Sequence, residues 1–258
     1  MKNILVPIDF SSDSINALEH AINLSGKAKA DIEMIHVQKS KQFHVPDYFH
    51  DIDKFYGHAA EDYLKILYEK YKDKTEHQLF YKVRHGKVFR EISEYADQSE
   101  ADLIIMGTHG ISGFEKFYIG SNAYKVVSHA PCPVITIRSG FLRNNISKIV
   151  LPVDITTETR QKVPFTVEIA RYFDAEIHIV SVSETNSDNI VQKLEYYVNQ
   201  VDEYISDRNI KTRRDALIGS NITEITIEYA ISINAELISI MTEQAESTKN
   251  IYHISNTT

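Results

Sequence analysis

The chain has 258 residues, 43% of them hydrophobic, with a formal net charge of −8 and a pI near 5.8. That length holds one large or two small globular domains, and the acidic balance argues against non-specific binding to nucleic acid or an anionic membrane. No apolar run approaches the ~20 residues that span a bilayer; no secretory segment follows Met1, and the single Cys132 has no intrachain disulfide partner, as expected of a cytoplasmic protein.

Taken from the N-terminus, Ile4–Ile8 predicts a strand ending at Asp9, and Ser11 or Ser12 caps a helix reaching Ser25. Ile32–Val37 predicts a second strand. Phe43–Lys72 reads as a loop that becomes a long helix, with Ala60, Leu64 and Leu67 at helical spacing. Leu79–Val83 predicts the third strand and Val88–Gln98 the third helix. Asp102–Met106 is apolar and rich in branched residues, as in a strand buried on both faces. Gly120 and Ser121 open a helix through Ala123, Val126 and Val127, and Val134–Ile137 closes the series as a fifth strand. Strands alternating with helices argue for a parallel sheet covered on both faces.

The pattern then repeats. NILVPIDFS, from Asn3, aligns with KIVLPVDIT, from Lys148, placing Pro7 on Pro152 and Asp9 on Asp154 at an offset of 145. The same offset carries Ala30–Val37 onto Ala175–Val182, and an offset of 134 carries Ala101–Thr108 onto Ala235–Thr242. Two ungapped blocks at one offset define a tandem of α/β units joined around Ser139–Ser147, with expected bounds 1–140 and 146–258. Thr258 aligns with Tyr124, so the second unit lacks counterparts of the last helix and strand, leaving its fourth strand as an edge. A covering strand from the first unit, a second chain, or truncation would each account for that.

Gly107, Gly110, Gly120 and Ser121 form the spacing G-x2-G-x9-G-S between the end of a strand and the start of a helix. Glycine lets backbone approach a ligand closely, and the first N–H groups of a helix lack intrahelical acceptors, so the two clusters suit a phosphate chain. In open parallel sheets ligands sit beyond the carboxyl ends of the strands, where Asp9 also falls. Its carboxylate could accept from an adenine amino group or a ribose hydroxyl; alternatively it caps the first helix.

This glycine segment, together with HAPCPVITIR at His129–Arg138 and KNILVPIDFSSDSINALEHAINLS at Lys2–Ser25, resembles the universal stress protein family. The resemblance implies an α/β fold of two tandem flavodoxin-like (adenine nucleotide alpha hydrolase-like) domains with strand order 3-2-1-4-5. It implies binding of ATP or a related adenine nucleotide, with Mg2+ admitted beside the phosphates. Pro7, Ile8, Asp9 and Val37 would line the adenine and ribose end. Met106, Gly107, His109, Gly110, Gly120, Ser121 and Asn122 would line the phosphate end. In the second unit Gly107, Gly110 and Gly120 become Met241, Gln244 and Ile254, and only Ser255 and Asn256 match Ser121 and Asn122, so one nucleotide site per chain is expected. The two units would form an intramolecular pseudo-dimer, with homodimerisation a further option.

Three functional classes follow: a nucleotide-dependent stress or regulatory protein, a slow ATPase or autophosphorylating enzyme, and a scaffold that binds something else. The sequence offers no Walker A lysine, kinase triad or evident general base, which favours the first. His44, His50 and His58 lie among Asp47, Asp51 and Asp53, but their spacing matches no tight metal-ligand pattern, and a loop or partial lid is the preferred reading. Lys116 reads as a surface lysine and Cys132 as a small core or edge residue.

Overall fold

The computed structural model describes residues 1–38, 60–108, 120–138 and 145–241. His109, Gly110, Lys116, the histidine-rich stretch from His44 to His58, and Gln244, Ile254, Ser255 and Asn256 lie outside the described residues. The chain divides into two compact units, the first carrying the described residues through Arg138 and the second those from Asn145.

In the first unit β1 (Asn3–Pro7), β2 (Asp31–Gln38), β3 (Leu79–His85), β4 (Leu103–Gly107) and β5 (Val134–Ile137) form a parallel sheet in the order β3-β2-β1-β4-β5. The helices are α1 (Ser12–Ala28), α2 (Ala60–Tyr71), α3 (Val88–Gln98) and α4 (Ser121–His129). Leu5, Ile35, Ile104 and Met106 pack with Ile92 and Ala96 of α3 and Ala123 and Val126 of α4. Successive strand residues face opposite ways, and the alternate residues Ile4, Val6, Met34, Leu103 and Ile105 are buried as well. Helices cover both faces, which explains why these strands read as unbroken apolar runs. Ser11 is the residue that caps α1: its hydroxyl accepts from the Ser14 N–H at 3.2 Å.

The second unit contains β6 (Lys148–Val153), α5 (Val163–Phe173), β7 (Glu176–Ser183), α6 (Asp188–Ser206), β8 (Thr212–Ile218), α7 (Ile222–Ser232) and β9 (Leu237–Ile238). Its described strands form a four-stranded parallel sheet ordered β8-β7-β6-β9, the first unit's order without the fifth strand. The short β9 is therefore an edge among the described residues.

Both offsets recur as backbone chemistry. Lys29 and Asp174, 145 apart, end α1 and α5 in the left-handed conformation, and Glu100 and Asn234, 134 apart, share it. A carboxylate before the fourth strand also clamps the start of the first in each unit. Asp102 accepts from the Lys2 and Asn3 N–H groups, and Glu236 from those of Ser147 and Lys148 and from the Ser147 hydroxyl. The correspondence breaks at the start of the first helix. Ser12, the first residue of α1, maps to Thr157, but there the chain makes a 3-10 turn at Glu158–Arg160 and α5 begins only at Val163.

Candidate functional site

The C-terminal edge of the first sheet is where β1 sits between β2 and β4, so that chain connections leave it in opposite directions and open a crevice. Beyond β1, the Ile8 N–H continues the pairing to the Ile35 carbonyl at 2.8 Å. The Ile8 carbonyl accepts from Nδ1 of His36 at 2.7 Å; a carbonyl only accepts, which fixes the proton on that nitrogen. His36 is buried, and desolvation holds its pKa below the ordinary histidine value despite the raising effects of Ile8 and Asp9. Phe10 follows at φ 65°, a left-handed conformation uncommon for a bulky residue, and its ring packs 4.7 Å from His36 and 6.0 Å from Tyr63.

Asp9 has a definite local job. Its Oδ1 accepts from the Ser11 N–H at 3.1 Å and the Ser11 hydroxyl at 2.6 Å, which aims Ser11 at the helix terminus. The capping reading of Asp9 is thereby corrected: Ser11 caps, and Asp9 orients the cap. Asp154 repeats this turn with the Thr156 N–H at 2.8 Å and the Thr156 hydroxyl, so the aspartate serves the fold in both units.

On the other side of the crevice, β4 ends at Gly107. A Cβ placed there would lie 2.9 Å from the Asp13 carbonyl carbon, 2.9 Å from its Cβ and 3.0 Å from its oxygen. Glycine is thus demanded by the first turn of α1, a reason separate from ligand approach and hidden in the sequence because Asp13 is remote along the chain. In the second unit the corresponding residue is Met241, and the corresponding helix starts late.

After Gly107, the Thr108 N–H donates to the Ile137 carbonyl at 3.0 Å, and the Thr108 carbonyl accepts from Gly120 at 2.7 Å. That bond joins the end of β4 to the start of α4, so that Gly120 is tied to the residue after Gly107. Gly120 is the N-cap of α4 and supplies no side-chain cap; the first-turn N–H groups, including those of Ser121 and Asn122, have no intrahelical acceptors. Pro7, Ile8, Asp9, Val37, Met106, Gly107, Gly120, Ser121 and Asn122 all lie at or just beyond this edge. Among the described residues no group of three or more His, Cys, Asp or Glu could hold a metal ion, and no helix is long and apolar enough to cross a membrane. Cys132 packs against the sheet core, where burial and then Asp102 push its thiol up to about 12, in keeping with a core role.

A five-stranded parallel sheet in the order β3-β2-β1-β4-β5, with helices on both faces, defines an open doubly wound α/β fold. Comparison with known proteins narrows the class. A model of the Universal stress protein family matches residues 1–138, and the chain belongs to that family. It is 30% identical to universal stress protein MJ0531 of Methanocaldococcus jannaschii over 151 residues, 53% of this chain and 82% of that protein. It is 31% identical to universal stress protein YxiE of Bacillus subtilis over 149 residues, 52% of this chain and 97% of that one. The crystal structure of a universal stress protein from Archaeoglobus fulgidus matches the tandem fold, covering 92% of this chain and 85% of its own with a TM-score of 0.72 at 20% identity.

Proposed function

We propose that the first unit binds ATP or a related adenine nucleotide and that the chain is a stress-response regulatory module whose conformation or association depends on occupancy. The observation that carries this reading is the Gly120-to-Thr108 hydrogen bond, which holds an N-terminus without a side-chain cap beside the end of β4. Such a terminus favours anions through both its N–H groups and the helix dipole. In this reading Ser121 and Asn122, with Gly107, His109 and Gly110, hold the phosphates, with Mg2+ beside them. Pro7, Ile8, Asp9 and Val37 line the adenine and ribose side, and Met106 lies with the phosphate-end residues. His36 and Phe10 keep the β1–α1 turn in place without touching ligand. The nucleotide supplies charge and an aromatic ring, and its binding rather than its turnover is the output. The functional units run 1–140 and 146–258 and work as a pseudo-dimer in the cytoplasm.

The second unit does not bind nucleotide this way, because Met241 replaces Gly107 and α5 begins at Val163. The test is to purify the chain without added nucleotide, denature it and identify what is released. About one adenine nucleotide per chain supports the proposal. Release of none, with no uptake of added ATP, assigns the fold to a different ligand. Steady ADP production that is lost in Gly120→Val would make the protein an enzyme instead.

A further inference from the structure

The late start of α5 builds something at the second sheet's own switch point. β6 lies between β7 and β9, and Asp154 follows it as Asp9 follows β1. At the 145-residue offset, Ser14 and Ala17 of α1 become Thr159 and Lys162, which lie on the 3-10 turn and at the N-cap of α5. Thr159 is 1% exposed, and its hydroxyl oxygen accepts from the Asp154 N–H and from Nζ of Lys162, each at 3.2 Å. Lys162 as a residue is half-buried, yet its amine lies deep enough that desolvation outweighs the attraction of Asp154 and pushes its pKa down to about 8. The Asp154 Oδ1 is already engaged by Thr156. Among the described residues, the hydrogen-bond partner of the Lys162 amine is therefore a neutral hydroxyl, and no carboxylate forms an ion pair with it.

A cation withdrawn from water without a bound counter-ion is costly, and the shortfall is removed by an anion that accepts from it. An ammonium has three donors, of which one goes to Thr159, leaving two for an anion. We infer that the second unit carries its own anion site, in which Lys162, its amine held in place by Thr159, binds the carboxylate or phosphate group of a small molecule at the end of β6. This differs in kind from the first unit's crevice: a side-chain charge recognises the anion, where the first unit offers backbone donors.

The site is tested on the full chain by two-dimensional amide NMR, titrating inorganic phosphate in one arm and acetate in another at constant ionic strength. At pH 6.5 the expected result is a saturable shift of the Asp154, Thr159 and Lys162 amides with at least one of the two anions; the arm that saturates identifies the group. At pH 9.5, where the ammonium is largely neutral, affinity at those amides should fall at least fivefold, and in Lys162→Met it should fall at least tenfold. Lys162→Arg, which keeps the charge, should retain part of it, and Gly120→Val should leave it intact whatever happens in the first unit. Shifts at these amides that persist undiminished in Lys162→Met, or that are equal at both pH values, overturn the inference. So does the absence of a saturable response to both anions. The pH comparison uses the unmodified protein, so it decides even if Lys162→Met misfolds.

Discussion

Gly107→Ala probes the close approach of the end of β4 to the first turn of α1. The added Cβ would stand 2.9 Å from two Asp13 atoms and 3.0 Å from a third, whereas unstrained carbon contacts sit at about 3.5–4.0 Å. The first turn of α1 or the end of β4 must therefore move by roughly half an ångström, and such overpacking costs about 1–3 kcal/mol. Two of the three atoms belong to the Asp13 backbone, so adding Asp13→Gly should restore only part of the loss. Gly26→Ala is the matched control. It lies in α1 with nothing within 4 Å of the built Cβ, and alanine should stabilise the helix there by about 0.5–1 kcal/mol. Urea denaturation gives the totals, and hydrogen exchange of the α1 and β4 amides assigns them to the first unit. Equal stability of Gly107→Ala and wild type, or complete rescue by Asp13→Gly, would refute the packing argument.

Ser11→Ala removes the α1 cap and should cost about 1 kcal/mol in the same denaturation assay, while Ser12→Ala should cost less. His36 is held below its ordinary pKa by burial, so the unfolded chain takes up its proton first as pH falls. Its contribution is complete above the unfolded value, near 6.5, and declines below it; His36→Asn, which keeps a donor for Ile8, should flatten the urea midpoint between pH 7 and 5. At Glu236 burial pushes the carboxyl up, but the Lys148 and Ser147 hydrogen bonds outweigh it and leave the pKa lowered. Glu236→Gln should therefore weaken the second unit at pH 7, and its deficit should shrink as pH falls below about 4. Cys132, raised to about 12, should resist iodoacetamide at pH 8 in the folded protein and react in denaturant, as mass spectrometry would show.

The elements that could be read from the sequence are those whose signals are local. Val88–Gln98 and Val134–Ile137 have the bounds their periodicity predicts, and Ser11 is one of the two caps the first helix offers. The repeat offsets carry structural meaning because the helix ends at Lys29 and Asp174, and the turns at Glu100 and Asn234, are set within a few residues. Contacts made across the sheet were not legible. Nothing near Gly107 announces Asp13, and nothing near His36 announces Ile8, although a histidine within an apolar strand is a reason to seek a buried acceptor. The delayed start of α5 escaped for the opposite reason. The matching aspartate turns at Asp9 and Asp154 suggest equivalent helix starts, but Thr157–Lys162 takes another path and buries Thr159.

Calorimetric titration of the nucleotide-free full chain with ATP tests the one-site account most directly. One molecule of ATP should bind per chain, Gly120→Val should weaken that binding at least tenfold, and Met241→Ala should leave both affinity and stoichiometry unchanged. Two molecules per chain, or binding indifferent to Gly120→Val but sensitive to Met241→Ala, would contradict it.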